Sequence, residues 1–249
     1  MTPSTRASHG KDTVASLRVR LARLEREAAA RQRQLEHYAA DLREIFKQER
    51  DRARELRRSY KATVLALANA VEARDAYTGK HAERVAAYGL RLAHAAGVEV
   101  DPQVEFGFLL HDVGKVAVPD AILFKPGPLT TEERTLMVKH PEIGSEILRH
   151  IDFLDDAKLV VRHHHERWDG LGYPDGLSRE EIPVPARVFA VADTLDALTT
   201  DRPYRQACPW ADARSVIRRE AGTQFDPAIV AAYETVPDEA FARIRDGIA

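Results

Sequence analysis

Residues 102–115 read PQVEFGFLLHDVGK. Its apolar positions predict a helix over 102–113 that delivers His111 and Asp112 at the end of the run Phe106-Gly-Phe-Leu-Leu110. An imidazole–carboxylate pair in such a place is costly unless it is paired or holds a metal. On both sides of this stretch the chain reads as helix after helix. Residues 82–96 have helical period and stop at Gly97, and Thr130-Thr131-Glu132-Glu133 is a capped start running to about Lys139. Pro141 opens the next helix, through His150, and 155–166, 185–199, 209–220 and 226–234 follow. The Gly and Pro residues gather in loops at 114–129, 169–185 and 200–209. A short strand-like stretch at 184–191 runs directly into Ala192-Asp193-Thr-Leu-Asp196-Ala-Leu198, which favours helix there too. The expected class is all-α.

Upstream, residues 14–58 contain neither Gly nor Pro. Leu17, Leu21, Leu24, Ala28, Leu35, Tyr38, Leu42 and Ile45 recur at alternating four- and three-residue steps, with Arg31 interrupting the seam. Two readings are open: a coiled coil that makes a homodimer or transmits a signal, and a helix that packs on its own domain. A long helix with one narrow apolar stripe has little to bury against in a short arm, which favours the dimer. The Arg excess before residue 60 is interleaved with Glu, as on a solvated face. The expected organisation is a disordered tail over 1–13, a coiled-coil helix over 14–60 and a globular domain over 61–249.

Composition narrows the function classes. With 249 residues, 44% hydrophobic and 31% charged, the chain can bury a core of useful size. A formal net charge of −2 gives no general attraction for DNA or for an anionic membrane. One cysteine, Cys208, excludes an internal disulfide and a thiolate cluster. No segment approaches the roughly 20 apolar residues that cross a bilayer, and the N-terminus lacks an apolar signal core. A cytoplasmic protein is expected.

Five of the ten histidines sit with acids in short polar clusters bounded by apolar helix. His111-Asp112 ends one run and His163-His164-His165-Glu166 ends another. Asp193 follows Val188-Phe-Ala-Val-Ala192, and His81 and His140 stand at or near helix starts. A single buried histidine is ordinarily a hydrogen-bonded core residue, but two adjacent pairs with an Asp in an apolar helix are not. Imidazole and carboxylate without thiolate suit iron, manganese, zinc or nickel. One Asp can bridge two cations, and such a pair acidifies a water and clamps a phosphate for in-line attack. The histidines suffice for two metals and exceed the need of one. Lys115 follows Asp112 by three residues, so a continuing helix would put both on one face, where a cation could neutralise a phosphate oxygen. The alternative for Lys115 is a loop lysine in solvent.

Together these segments resemble the HD superfamily of metal-dependent phosphohydrolases, and His164-His165-Glu166-Arg-Trp-Asp-Gly-Leu-Gly-Tyr-Pro174 resembles the signature of its HD-GYP subfamily. The likeness runs through Lys125-Pro-Gly127, His140-Pro-Glu-Ile-Gly144, Arg202-Pro-Tyr-Arg205 and Gly222-Thr-Gln-Phe-Asp-Pro227, over about residues 63–235. It implies an HD-type helical bundle that hydrolyses cyclic di-GMP to linear pGpG and, in some members, on to GMP. It implies His81, His111, Asp112 and Asp193 around one cation, with Asp112 bridging to a second held by His140, His164 and His165. Iron or manganese is the expected metal, with zinc, nickel and cobalt compatible. Lys115 would contact the scissile phosphate, Arg202 and Arg205 the substrate phosphates, and Tyr173 the substrate pocket. Asp196, one turn beyond Asp193, would stand on the substrate side or behind a ligand. Some members hold a third metal through a carboxylate four residues before the first histidine. That position is Tyr77 here, so two metals are expected. Regulation would arrive through the coiled coil or from an upstream signalling partner.

Overall fold

The computed structural model describes residues 7–74, 80–99, 101–201 and 206–248. Two compact units divide at Ser59 and Tyr60.

In the first unit the described residues belong to helix α1, which runs Ala7–Glu72 and continues into the second. Residues 7–13, expected in a disordered tail, are therefore helical, and residues 1–6 lie outside the described residues. The seam residues Leu17, Leu21, Leu24, Leu35, Tyr38, Leu42 and Ile45 are all exposed. Around them run side-chain pairs one turn apart, such as Arg23–Glu27 at 2.8 Å and Gln32–Glu36 at 3.1 Å. Exposed pairs of this kind add only a few tenths of a kcal/mol each.

Among the described residues the second unit is built from the end of α1 and ten further helices: α2 (His81–Ala95), α3 (Pro102–Leu110), α4 (Asp120–Leu123), α5 (Thr131–Met137), α6 (His140–Ile147), α7 (Asp155–His163), α8 (Val184–Thr199), α9 (Trp210–Arg219), α10 (Pro227–Glu234) and α11 (Asp238–Ile248). Among the described residues there is no strand, only an isolated bridge between Ala221 and Phe225. Side-chain oxygens start several helices. Asp101 accepts from the Gln103 amide, Asp226 from the Ala228 amide, and Thr130 and Glu133 cap each other reciprocally.

Helices α2, α3, α7 and α8 form the centre of the unit, with α2 against α8 and α3 against α7. Tyr88, Phe108 and Phe189 fill it, and Phe108 and Phe189 meet with ring centroids 5.5 Å apart. Gly107 lets α3 approach α7: a Cβ there would lie 2.9 Å from the Ala157 carbonyl oxygen.

Several boundaries differ from the sequence reading: α6 ends at Ile147 instead of 150 and α7 at His163 instead of 166. Helix α3 stops at Leu110 instead of 113, and a 3-10 turn, Val113–Ala117, follows. The loop expected over 114–129 thus carries that turn and α4. Helix α11 was not expected at all; its Phe241 is buried against Tyr88 with centroids 5.4 Å apart.

Candidate metal centre

The centre forms where the ends of α2, α3 and α7 and the start of α6 meet the interior of α8. Helix α3 delivers His111 and Asp112, α6 opens on His140, α7 ends at His163 and leads to His164 and His165, α2 opens on His81, and α8 carries Asp193. The turn after α3 is as tight as it is because residue 114 is Gly. A Cβ on Gly114 would sit 1.9 Å from the His140 carbonyl oxygen, so the glycine allows the His-Asp corner to lie against α6.

Asp112 lies in the middle. Its Oδ2 is 3.1 Å from His111 Nε2 and 2.8 Å from Lys115 Nζ. Its Oδ1 is 3.2 Å from His140 Nε2 and 4.0 Å from His164 Nε2. Asp112, His140, His164 and His165 each offer a ligand atom within 4.8 Å of the others. On the far side of His111, His81 Nε2 stands 3.4 Å from Asp193 Oδ1. Lys115 reaches Asp112 because 3-10 geometry eclipses residues three apart, not because α3 continues.

The imidazoles are oriented from behind. His111, His140 and His164 each donate Nδ1–H to the carbonyl three residues earlier, Phe108, Met137 and Val161, at 2.9 Å. A carbonyl only accepts, so each ring carries its proton on Nδ1 and turns an Nε2 lone pair inward. His140 Nε2 and His164 Nε2 then face each other at 3.2 Å with no proton between them. Two facing lone pairs beside a carboxylate repel unless a cation lies among them. Their spacing matches the roughly 3–3.5 Å ligand–ligand edge of a metal with bonds near 2.1 Å. The donor set therefore fits a divalent metal.

Electrostatics agree with that fit at His164, His165 and Asp112, while His111 is drawn by Asp112 toward its protonated form, which a bound cation would have to displace. Burial lowers His164 well below the ordinary imidazole range and pushes His165 down to about 3, which keeps both rings in the neutral, ligating form. Burial opposes the Asp112 carboxylate, but Lys115 and His111 outweigh it and hold its pKa well below the usual range. Burial likewise opposes a charged His111, and Asp112 beside it outweighs that and raises its pKa. Tyr173 stacks on His165 with centroids 4.7 Å apart, and burial pushes its hydroxyl up to about 12. A cavity of about 290 Å³ adjoins the cluster, lined in part by Glu72, His81, His111, Asp112, Lys115 and Asp193.

A model of the HD domain matches residues 65–229. The chain belongs to the HD domain family. Its Gly172-Tyr173-Pro174 segment is that of the HD-GYP branch. This HD domain protein is 45% identical over 183 residues to the 3'3'-cGAMP-specific phosphodiesterase 2 of Vibrio cholerae, covering 71% of this chain and 34% of that protein. It is 41% identical over 172 residues to the cyclic di-GMP phosphodiesterase response regulator RpfG of Xanthomonas campestris, covering 68% of this chain and 46% of that one. The match thus spans less than half the length of either relative. A crystal structure of a cyclic GMP-AMP specific phosphodiesterase of Vibrio cholerae has a like fold, with a TM-score of 0.53 at 17% identity, over 74% of this chain and 52% of that one.

The structure brings His81, His111, Asp112, Lys115, His140, His164, His165, Tyr173 and Asp193 into one continuous group. Arg202 and Arg205 lie outside the described residues, as does Tyr77. Asp196, expected on the substrate side or behind a ligand, takes the second place: it is fully buried behind His81, where Arg84 and His81 occupy both of its oxygens. His163 does not join the cluster; it faces Glu166 and Asp175, at 3.9 and 3.5 Å. Two residues were missed by the sequence reading. Arg84 follows His81 by one turn on α2, a spacing that could have flagged it. Glu166 accepts the backbone N–H groups of Asp175, Gly176 and Leu177 and so anchors the loop that carries Tyr173.

Proposed function

We propose that this HD domain protein is a two-metal phosphodiesterase that hydrolyses cyclic di-GMP to linear pGpG, and on to GMP if the linear product is retained. The observation that carries the reading is the placement of Asp112, one oxygen turned toward His111 and the other toward His140 and His164. A carboxylate so placed can bridge a cation held with His81, His111 and Asp193 and a second held with His140, His164 and His165. Nitrogen and oxygen ligands without sulfur favour iron or manganese over a thiophilic metal. Bound there, the metals would supply the Lewis acidity that activates water and offsets phosphoryl charge.

The chain's own residues do the rest. Lys115, beside Asp112, holds a scissile phosphate oxygen and steadies charge on the leaving side. Tyr173, fixed on His165, walls the pocket where a guanine ring would lie. Arg202 and Arg205 supply forks for the second phosphate. Helix α1 makes the homodimer through its seam, and an upstream signalling protein acts through it. No helix among the described residues is long and apolar enough to cross a membrane, in keeping with work in the cytoplasm on a soluble messenger.

The relatives also favour a second substrate, 3'3'-cGAMP, which is named for one of them. Purified protein loaded with Fe(II) or Mn(II) and offered each dinucleotide separates the two readings. Faster release of pGpG from cyclic di-GMP is expected. Faster cleavage of the mixed dinucleotide would move the assignment to it, and cleavage of neither would overturn the enzyme reading. Asp112→Asn should lose both metal loading and turnover, and full activity in that variant would refute the bridge.

A further inference from the structure

The supports behind the ligand histidines are unequal. His111, His140 and His164 are each held by a backbone carbonyl three residues earlier, a bond that local chain geometry supplies. His81 is the first residue of α2, and its Nδ1 instead reaches across to α8 and meets Asp196 Oδ2 at 2.7 Å. Asp196 is held in turn by Arg84, whose Nε donates to Oδ1 at 2.7 Å and Nη2 to Oδ2 at 3.0 Å. Thr200 adds a hydroxyl to Oδ1 at 3.3 Å. Helix α2 therefore presents His81 and Arg84 one turn apart, and α8 presents Asp193 and Asp196 one turn apart, directly opposite. Asp193 faces the His81 Nε2 and Asp196 faces its Nδ1.

We propose that Arg84 is a positioning residue for one half of the centre, setting His81 through Asp196 so that the His81–Asp193 cation site depends on it while the His140–His164–His165 site does not. The inference rests on the two-cation reading above. Its physical basis is that a carboxylate fixes a ligand imidazole only if the carboxylate is itself fixed. Asp196 is fully buried, so its orientation comes from its partners alone. The guanidinium fork supplies two parallel bonds in one plane, which sets the carboxylate plane and through it the His81 ring. Without the fork Asp196 can rotate, and the Nε2 lone pair of His81 turns away from Asp193. Loss of such outer partners weakens metal binding by roughly 10–100-fold. Of the three carbonyl-held rings, His111 meets the His81 ring edge-on with centroids 5.4 Å apart and belongs to the same half of the centre, whereas His140 and His164 stand on the other side of Asp112 and keep their aim.

The test is a titration of metal-free full-length protein with Mn(II) and, for its absorption bands, Co(II). Wild type, Arg84→Gln and Arg84→Lys are compared, with the unfolding midpoint of each metal-free protein recorded alongside. Two binding steps are expected in wild type. In Arg84→Gln one step should weaken by roughly 10–100-fold and the other should hold. Arg84→Lys, with a cation but no fork, should fold as wild type and recover the weakened step only in part. Equal weakening of both steps would mean general loosening and would overturn the proposal. Unchanged binding in both variants would overturn the role of Arg84 and leave the two-cation reading standing. A single step in wild type would overturn that reading and this inference with it.

Discussion

Leu21 and Leu110 are the same residue in opposite circumstances. Leu21, in the arm formed by the first part of α1, is 57% exposed, and Leu110, at the end of α3, is 1% exposed. The contrast holds along both regions. From Tyr60 onward most apolar residues find partners within the chain, although Leu67 and Leu171 among others stay exposed, and the burial of the rest brings the ligand residues together. Before Tyr60 the seam is regular but finds none among the described residues of its own unit. Sequence period alone is therefore not burial. It says which face will be covered, and the rest of the chain decides whether the cover comes from within.

The largest effects should follow from attacking the self-contained region. Phe108→Ala removes a fully buried ring from between α2 and α8 and should lower stability by about 3–5 kcal/mol, measured by denaturant unfolding. The Phe108 carbonyl, which orients His111, survives the change, so turnover per folded molecule at low temperature should be largely kept. Gly114→Ala reverses that pattern. The added methyl meets the His140 backbone, and relieving the clash by moving the His-Asp corner should cost about 1–3 kcal/mol. Because that movement pulls Asp112 away from His140, metal content should fall more steeply than stability. Intact metal loading in Gly114→Ala would show that the corner and α6 are not coupled as the geometry implies.

The legible part of the fold was the part written in local pattern. Apolar spacing located helices α2, α3 and α5 to α10, and the expense of placing His111, Asp112 and Asp193 beside apolar runs located the centre. The end of α3 was not legible, because the turn at Val113 depends on how closely Gly114 approaches α6, a contact made between distant segments. Helix α11 was hidden by its charge, with Phe241 the only buried side chain along it. The Arg84–Asp196 pair was hidden for a deeper reason. Arg84 alone reads as a solvated charge on a helix, and Asp196 was expected on the substrate side or behind a ligand without a named partner; only the packing of α2 on α8 makes the two a buried fork behind His81. The one-turn step from His81 to Arg84 marks the face that they share on α2, but not the partner that α8 brings opposite.

The smallest effect on the second unit, and the sharpest on the comparison, should come from the arm. Leu21→Lys combined with Leu42→Lys places two charges in the seam at positions already exposed in the single chain. Exposed substitutions of this kind change the stability of a single chain by about 0.5 kcal/mol or less. A coiled-coil partner would change that arithmetic, because both positions would then lie in its interface and each lysine would meet apolar surface from the other chain. The double variant should therefore keep the unfolding midpoint of the second unit and its metal content while sedimenting as a monomer. Should the variant and the wild type sediment alike, the seam has no second copy to cover it, and the arm's regular pattern must serve another partner. If instead metal content falls with the dimer, the arm supports the centre as well as pairing chains, and the division between the two regions is less clean than their burial suggests.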